Sequence, residues 1–262
     1  MKDPNISREK DFKYEVFKPS VGSDSGVLML ATRLTDESEQ YVVKCQVEWN
    51  PVSEFIYHKV ASALGMYTQE VKLFKKLLEA KHACGVRYCI NARKADGIEA
   101  NNPNRSDFFR FNALFQMLGE DDSEEFYIDE QDRLFKLDNA EAFMLCSTYG
   151  LLVKKAKTKS QWIKMAIDED LERYYSNLNK QMCVMMADKI FEVFGKEALK
   201  IYLDTFIKFT ELELSILDEA FSSLDKVYPK TFTEYLHHFI EVRQPLCRAF
   251  VEEYIKGKGL II

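Results

Sequence analysis

The hydrophobic pattern of this chain changes partway along its length, and that change restricts the folds open to it. In the first third, apolar residues occur in short runs typical of strands, interrupted by one helical stretch. Residues 96–104 are rich in Gly, Asn and Pro and predict a linker. Beyond residue 160 the apolar residues recur at helical spacing. The pattern predicts an α+β fold with two lobes, a small β-rich lobe over residues 1–95 and a mostly helical lobe over residues 96–262.

Charge and cysteine usage exclude several classes of function. The 262 residues carry a formal net charge of −6, which argues against broad binding to nucleic acids or anionic membranes. The first 18 residues are charged throughout, so no signal peptide is expected, and no apolar run is long enough to span a bilayer. The six cysteines are scattered and indicate reduced thiols. We expect a cytoplasmic protein whose partners are other proteins.

The elements of the small lobe follow from turn and cap signals. Asn50 and Pro51 predict a helix start, because asparagine caps free N–H groups and proline fits the first helical position. Gly65 predicts the end of that helix. A Gly- and Ser-rich turn at residues 19–26 separates the first two of three antiparallel strands. The strands of this lobe are predicted at residues 12–18, 27–33, 40–46, 69–74 and 86–92.

The elements of the large lobe begin with a strong helical pattern at residues 105–118. An acidic turn and a small hairpin follow, with strands at residues 126–129 and 133–137. Farther along, the spacing of Met182, Met186 and Ile190 predicts a stripe that fills the core. Pro245 is a candidate break in the last helix.

A strand with a lysine, followed by a helix with a glutamate, resembles the small lobe of the HipA-like bacterial kinases. Residues 41–44 are similar to the strand that supplies the ATP-contacting lysine. Residues 53–65 are similar to the helix after it, which has a glutamate near its start and ends in Ala-x-x-Leu-Gly. The resemblance implies that Lys44 neutralises the inner phosphates of ATP and that Glu54 holds its ammonium group.

The glycine turn between the first two strands lies where the resemblance places the phosphate-covering loop. By position, it implies that Gly22, Ser23 and Gly26 cover the phosphates of the nucleotide. Without the resemblance, Lys44 is a surface lysine on an edge strand, and Glu54 complements the helix dipole.

Residues 105–119 resemble the helix that precedes the catalytic loop in the same family. The resemblance implies that Asp138, which closes an apolar strand, binds Mg²⁺. Glu125, thirteen residues earlier, then occupies the position of the family's metal-binding asparagine. A carboxylate there still suits Mg²⁺, which prefers hard oxygen ligands. The catalytic residue that orients the acceptor hydroxyl is Asp122 if the loop is shortened, or Glu120 takes its place if it is not.

The catalytic segment departs from the family pattern. Residues 119–126 contain no asparagine and no basic residue beside the aspartate, and Asn-Ala at residues 139–140 replaces the Phe-Gly of ordinary protein kinases. Residues 120–125 are, in the alternative interpretation, a solvated acidic turn. Asp107 and Asn112 have the family's five-residue separation, but they lie within one predicted helix, where side chains five apart point in different directions.

The resemblance implies an ATP- and Mg²⁺-dependent phosphotransferase that acts on a protein serine or threonine. Two alternatives from other classes remain open. One is a pseudokinase, and the other is a regulatory module of the toxin–antitoxin type that acts by protein contact without catalysis. The expected partner is accordingly a protein substrate or a regulatory protein.

Overall fold

A six-stranded sheet forms the framework of the first third of the chain. The computed structural model describes residues 3–17, 27–45, 49–77, 81–95, 105–119, 125–139, 142–145, 148, 161, 164 and 178–260. The strands of the sheet are β1 (Ile6–Arg8), β2 (Phe12–Val16), β3 (Val27–Arg33), β4 (Asp36–Cys45), β5 (Val71–Leu77) and β6 (Lys81–Arg87). Their spatial order is β1-β5-β6-β4-β3-β2.

Antiparallel pairing holds most of this sheet together. The predicted run of three antiparallel strands is confirmed, because β2 pairs with β3 and β3 pairs with β4. The strand predicted at residues 86–92 was placed too late, since β6 ends at Arg87 and pairs with β4 and β5. Strand β1 was not predicted; it is only three residues long and pairs in parallel with β5.

The sheet curls around a small hydrophobic core of its own, on the face directed away from the rest of the protein; we call this the outer face. Tyr41 and Val43 point to this face, while Val42 and Lys44 point to the opposite, inner face, because side chains alternate along a strand. The rings of Phe12 and Phe74 meet edge to face at 5.2 Å between their centroids. A Cβ at residue 85 would lie 2.4 Å from the Phe74 ring, so the close approach of the strand requires glycine there.

Helix α1 (Trp49–Ala63) packs on the inner face of the sheet. It begins one residue before Asn50 and ends before Gly65, whose φ of 77° is the left-handed conformation that suits a helix terminus. Nearly all of its central side chains are buried, so the helix is covered on both sides. One side contacts β5 and β6, and the other contacts the short 3₁₀ helix Ala142–Met144 and the helical lobe.

A second, three-stranded sheet connects the small lobe to the helical lobe. It comprises β7 (Arg93–Lys94), β8 (Glu125–Ile128) and β9 (Leu134–Leu137), in that spatial order. Because β7 lies before residue 95 and pairs with β8, the chain leaves the first sheet ahead of the predicted linker. Division of the chain at residues 95 and 96 therefore remains a proposal.

Helix α2 (Arg105–Leu118) has the bounds that its pattern predicted. Asp107 pairs with Arg110 at 2.9 Å, and the Asn112 amide donates to the Phe108 carbonyl of the same helix, also at 2.9 Å. Each side chain is thus engaged within its own helix. This supports the rejection of Asp107 and Asn112 as a catalytic pair.

Helices make up the rest of the described chain. After the 3₁₀ segment Ala142–Met144, the described elements are α3 (Lys180–Phe194), α4 (Lys196–Thr210), the 3₁₀ helix Leu214–Leu217, α5 (Asp218–Asp225) and α6 (Thr231–Lys258). The break considered at Pro245 does not occur, since α6 continues through it. Core side chains on both sides of the proline, including Phe239 and Phe250, are buried and hold both halves of the helix against the core.

The buried face of α3 differs from the predicted methionine stripe. Of the predicted stripe, Ile190 is buried and Met186 packs partly buried against the core, whereas Met182 is exposed. Cys183 and Ala187 complete the buried face. Small residues at positions 183 and 187 let the neighbouring helix approach closely, and the Tyr202 hydroxyl of α4 reaches the Cys183 carbonyl at 3.5 Å. Within the described residues, no helix has the length and apolar character to cross a membrane.

Candidate functional site

Three charged side chains from separate elements meet between the first sheet and the helical lobe. The Lys44 ammonium, on β4, lies 2.6 Å from Oδ1 of Asp138 and 3.6 Å from Oε2 of Glu54. Glu54 lies in the second turn of α1, and Asp138 directly follows β9. The structure thus brings together three of the residues that the sequence predicted for one site.

The charges of this group stabilise one another. Burial disfavours the charged form of both Lys44 and Glu54, but their mutual attraction reverses that effect. The pKa of Lys44 is raised above its usual value by Glu54 and Asp138. The pKa of Glu54 is held well below its usual range by Lys44, by His58 and by the backbone of Asn139. Both groups are therefore charged at neutral pH.

The three residues differ in exposure. The Glu54 side chain is 1% exposed, whereas those of Lys44 and Asp138 are 13% and 26% exposed. Glu54 is thus a buried anchor, and the other two are accessible to a ligand. An ammonium and a carboxylate that are both accessible and 2.6 Å apart form a site suited to a phosphate group with its metal ion.

Asp138 has an unusual backbone conformation. Its φ is 61°, the left-handed region in which side chains other than glycine are uncommon. Such a conformation costs on the order of 1 kcal/mol and persists only where the surroundings impose it. Here the next residue is fixed by hydrogen bonds, because the Asn139 N–H donates to Oε2 of Glu54 at 2.8 Å. The turn therefore holds the Asp138 carboxylate in place.

A polar bridge lies beneath this turn, and we define it as Glu54, His58, Lys136 and Asn139. The His58 ring nitrogen Nε2 is 3.0 Å from Oε1 of Glu54, and the Asn139 amide donates to the same oxygen at 3.3 Å. Lys136, 1% exposed, donates to the amide oxygen of Asn139 at 3.0 Å. The bridge joins α1 to the end of β9 through buried hydrogen bonds.

The donor set is compatible with magnesium at Asp138. A Mg²⁺ ion is usually bound by one or two carboxylates together with substrate phosphates and water. The described residues contain no group of three or more His, Cys, Asp or Glu side chains that could enclose a metal. Asp138 supplies one accessible carboxylate of the kind that such a site uses.

Of the remaining predicted site residues, the structure describes only the backbone of Glu125. The backbone of Glu125 opens β8 and pairs with Leu137, so it lies beside the strand residue that precedes Asp138. Gly22, Ser23, Gly26, Glu120 and Asp122 lie outside the described residues. The phosphate-covering and catalytic roles considered for these five residues remain predictions.

Three members of the polar bridge, His58, Lys136 and Asn139, were not predicted from the sequence. His58 follows Glu54 by four residues on one helix, which places the two on the same face, and this spacing was an available signal. Asn139 was noted only as a departure from Phe-Gly. Lys136 carried no signal, because a lysine in a short strand ordinarily points to solvent.

Comparison with known proteins supports the fold. No protein-family model and no curated protein matches the sequence. Among solved structures, the Helicobacter pylori proinflammatory kinase CtkA is similar at 12% identity with a TM-score of 0.59, over 95% of this chain and 99% of that one. Shewanella oneidensis HipA, solved with HipB and operator DNA, aligns with 100% of this chain and 69% of its own, at 10% identity and a TM-score of 0.44. The chain has the two-lobed α+β fold of a kinase-like protein.

Proposed function

We propose that this protein is an ATP- and Mg²⁺-dependent phosphotransferase of the HipA-like kind that acts on a serine or threonine of a protein. One observation carries the proposal: Lys44 lies between Glu54 and Asp138, and these residues come from three separate elements. The fold of CtkA, whose described activity is that of a kinase, agrees with it. A cytoplasmic location, as proposed, is compatible with the free thiols of Cys84, Cys89, Cys183 and Cys247.

The proposed division of labour follows from charge and exposure. Lys44, held by Glu54, contacts the inner phosphates, and Asp138 with Glu125 holds Mg²⁺. Bound there, Mg²⁺ would supply positive charge that stabilises the transferring phosphoryl group. Asp122, or Glu120 in its place, orients the acceptor hydroxyl. Gly22, Ser23 and Gly26 cover the phosphates with their backbone N–H groups.

Nucleotide binding is tested by thermal unfolding with and without millimolar ATP and Mg²⁺. A ligand that binds only the folded state stabilises it by about 2.7 kcal/mol at one hundred times its Kd. Lys44→Ala should remove most of the increase in melting temperature. Lys72→Ala is the matched control, because Lys72 is also 13% exposed and ion-paired, but to Glu39 and Glu70 on the other face of the sheet. No shift for the wild type at millimolar ATP contradicts the proposal.

Phosphoryl transfer is tested with labelled ATP, using the protein itself or a generic protein as acceptor. Asp122→Asn should slow transfer strongly with little effect on ATP binding, since this residue acts on the acceptor hydroxyl. Glu125→Asn restores the family's usual residue and should preserve or raise the rate. Loss of transfer in Glu125→Asn with Asp122→Asn still active places the catalytic loop in another segment.

A pseudokinase is the second candidate, and the altered catalytic segment favours it. Residues 119–126 lack the asparagine and the basic neighbour of the family pattern. This candidate binds ATP through Lys44 and Asp138 without transferring phosphate and acts as a regulatory module for a protein partner. Binding of ATP by the wild type, combined with no transfer by either the wild type or Glu125→Asn, decides for it.

A further inference from the structure

The polar bridge occupies a place where the chain could have used apolar contacts, and its members are almost completely buried. Buried polar groups are costly unless each is hydrogen-bonded. Glu54, His58, Lys136 and Asn139 are all 1% exposed or less. The position of this cluster, directly under Lys44 and Asp138, indicates a role other than packing.

We propose that Asn139 and His58 are positioning residues that fix the Glu54 carboxylate, and through it Lys44, and that tie helix α1 to the turn carrying Asp138. The functional consequence rests on the proposed function: the nucleotide site is already assembled before the nucleotide binds. The inference assigns a regulatory property to that site: α1 does not swing out independently of Asp138.

The first argument is the coordination of the Glu54 carboxylate. Oε1 is 3.0 Å from His58 Nε2 and 3.3 Å from the Asn139 amide nitrogen. Oε2 accepts the Asn139 N–H at 2.8 Å and faces Lys44 at 3.6 Å. Both oxygens are therefore held from two directions, which leaves the side chain one orientation. Because a carboxylate only accepts hydrogen bonds, His58 carries its proton on Nε2 when it donates to Glu54.

The second argument is the connectivity of Asn139. Its backbone N–H and its amide group both bind Glu54 on α1, and its amide oxygen accepts from Lys136 on β9. Asn139 directly follows Asp138 in the chain. Withdrawal of Glu54 by rotation of α1 would break the bonds to Asn139 and release the turn that holds Asp138. The two halves of the site thus form and separate together.

The third argument is what an apolar side chain would do at residue 139. It would keep the backbone N–H bond, but it would remove one partner from Oε1 of Glu54 and one from the Lys136 ammonium. Both groups are charged and buried, and hydrogen bonds to charged groups are about twice as strong as neutral ones. Glu54 would then be held less firmly, and Lys44 would be released more often.

The experiment measures the rate at which Lys44 is acetylated by a small amine-reactive reagent, followed by mass spectrometry without nucleotide. Only the uncharged, accessible amine reacts, so the rate reports how firmly its two carboxylate partners, Glu54 and Asp138, hold Lys44. Asn139→Leu should raise the rate about tenfold, the effect of losing one hydrogen bond to a charged group. Asn112→Leu is the matched control: among the described residues, this buried asparagine bonds to Phe108 of its own helix, so its substitution should leave the rate unchanged.

Dependence on Glu54 separates positioning from general loosening of the fold. In a Glu54→Gln background, Asn139→Leu should add less than about twofold, because groups that act through one residue are not additive. His58→Leu should behave like Asn139→Leu. His58→Gln should show a smaller increase, since its amide restores a donor near Oε1.

The outcomes are decisive in either direction. Equal rates for Asn139→Leu and Asn112→Leu, or effects that multiply in the Glu54→Gln background, overturn the proposal. If Asn139→Leu does not fold, the comparison of His58→Leu with His58→Gln takes its place. Because acetylation requires no nucleotide, a failure to bind ATP removes the proposed function and leaves this result standing. If the wild type binds ATP, Asn139→Leu should weaken ATP binding in the wild-type background and leave it unchanged in the Glu54→Gln background.

Discussion

Asp138 combines a carboxylate suited to a metal with a backbone that side chains rarely adopt. Its φ of 61° is imposed by its neighbours: Asn139 is bonded to Glu54, and Lys136 donates to the Asp138 carbonyl at 3.5 Å. Left-handed residues other than glycine cluster at ligand sites, where surrounding contacts over-determine them. The carboxylate and the conformation can be separated experimentally, because glycine removes the first and tolerates the second.

We predict that Asp138→Gly and Asp138→Ala lose phosphoryl transfer equally, since both remove the proposed metal ligand. Their stabilities should differ, because alanine keeps the unfavourable φ and glycine does not. Asp138→Gly should be more stable than Asp138→Ala by about 1 kcal/mol, measured by urea unfolding. Equal stability of the two variants would indicate that the turn relaxes when the carboxylate is removed.

Glu39 provides a prediction about acid stability. Burial alone would raise the pKa of Glu39, but hydrogen bonds and charge from Arg33 and Lys72 lower it from 4.5 to about 2. A group whose pKa is lower in the folded state stabilises the fold above its unfolded pKa, and this contribution is lost as pH falls through the folded pKa. The free energy of unfolding should therefore decline between pH 4.5 and about pH 2.

The matching variant is Glu39→Gln, examined by urea unfolding across this range. It should be less stable than the wild type at neutral pH. The difference should shrink below pH 4.5 and vanish below about pH 2, once the wild-type carboxyl is protonated in the folded state. A difference that stays constant with pH contradicts the assignment of the effect to this ionisation.

The sequence predicts a site residue when the order of the elements identifies it, and it fails when the residue's role depends on a tertiary contact. Lys44, Glu54 and Asp138 could be named because each stands at a recognisable point of an element order that resembles a kinase. The polar bridge could not, because burial of Lys136 and Asn139 is decided by α1 crossing over the end of β9. That crossing is a tertiary contact, and strand and helix patterns carry no information about it.

At the level of elements, local signals predicted the periodic segments, and they predicted the short hairpin of β8 and β9 to within one residue at each end. They failed where pairing or packing with distant residues decides the element. The helical pattern of residues 105–118 and the strand at residues 27–33 agree with α2 and β3. β1 went unnoticed because three residues form no pattern, and it exists through pairing with β5. α6 continues through Pro245 because core packing outweighs the local cost of proline.

The segment that carries β1 is fastened to the helical lobe, and Ser223 on α5 is the centre of the contact. Its hydroxyl accepts from the Asn5 amide at 3.2 Å and donates to Asp3 at 3.0 Å. The Asn5 amide oxygen in turn accepts from Lys59 of α1 at 2.7 Å. The first residues of the chain thus hold α1 and α5 together across the lobes.

We predict that Ser223→Ala lowers the free energy of unfolding by about 1–3 kcal/mol, because it leaves the buried Asn5 amide without this partner. Urea unfolding measures the loss, and amide hydrogen exchange in β1 should become faster. Ser222→Ala is the control, since Ser222 is the exposed neighbour on the same helix, and it should stay within about 0.5 kcal/mol of the wild type. Equal effects of the two variants would show that the contact contributes nothing to stability.

At the scale of the whole molecule, the two lobes share one hydrophobic core. A single cluster of buried side chains includes Phe55 of α1 and Leu73 of β5 as well as Phe206 of α4 and Phe239 of α6. The Ser53 hydroxyl, also on α1, donates to the Ala142 carbonyl at 3.0 Å. Helix α1 therefore belongs to the core of both lobes, although the chain order assigns it to the first.

This shared core leads to a prediction about cooperativity. A chain of 262 residues is long enough for its lobes to unfold separately. We expect one transition instead, because unfolding either lobe exposes the apolar face of α1 and unpairs β7 from β8. In scanning calorimetry, the calorimetric and van't Hoff enthalpies should agree, and residues 1–95 alone should show no cooperative transition. Two resolved transitions, or a fragment 1–95 that unfolds cooperatively, would show that the interlobe contacts are too weak to couple the lobes.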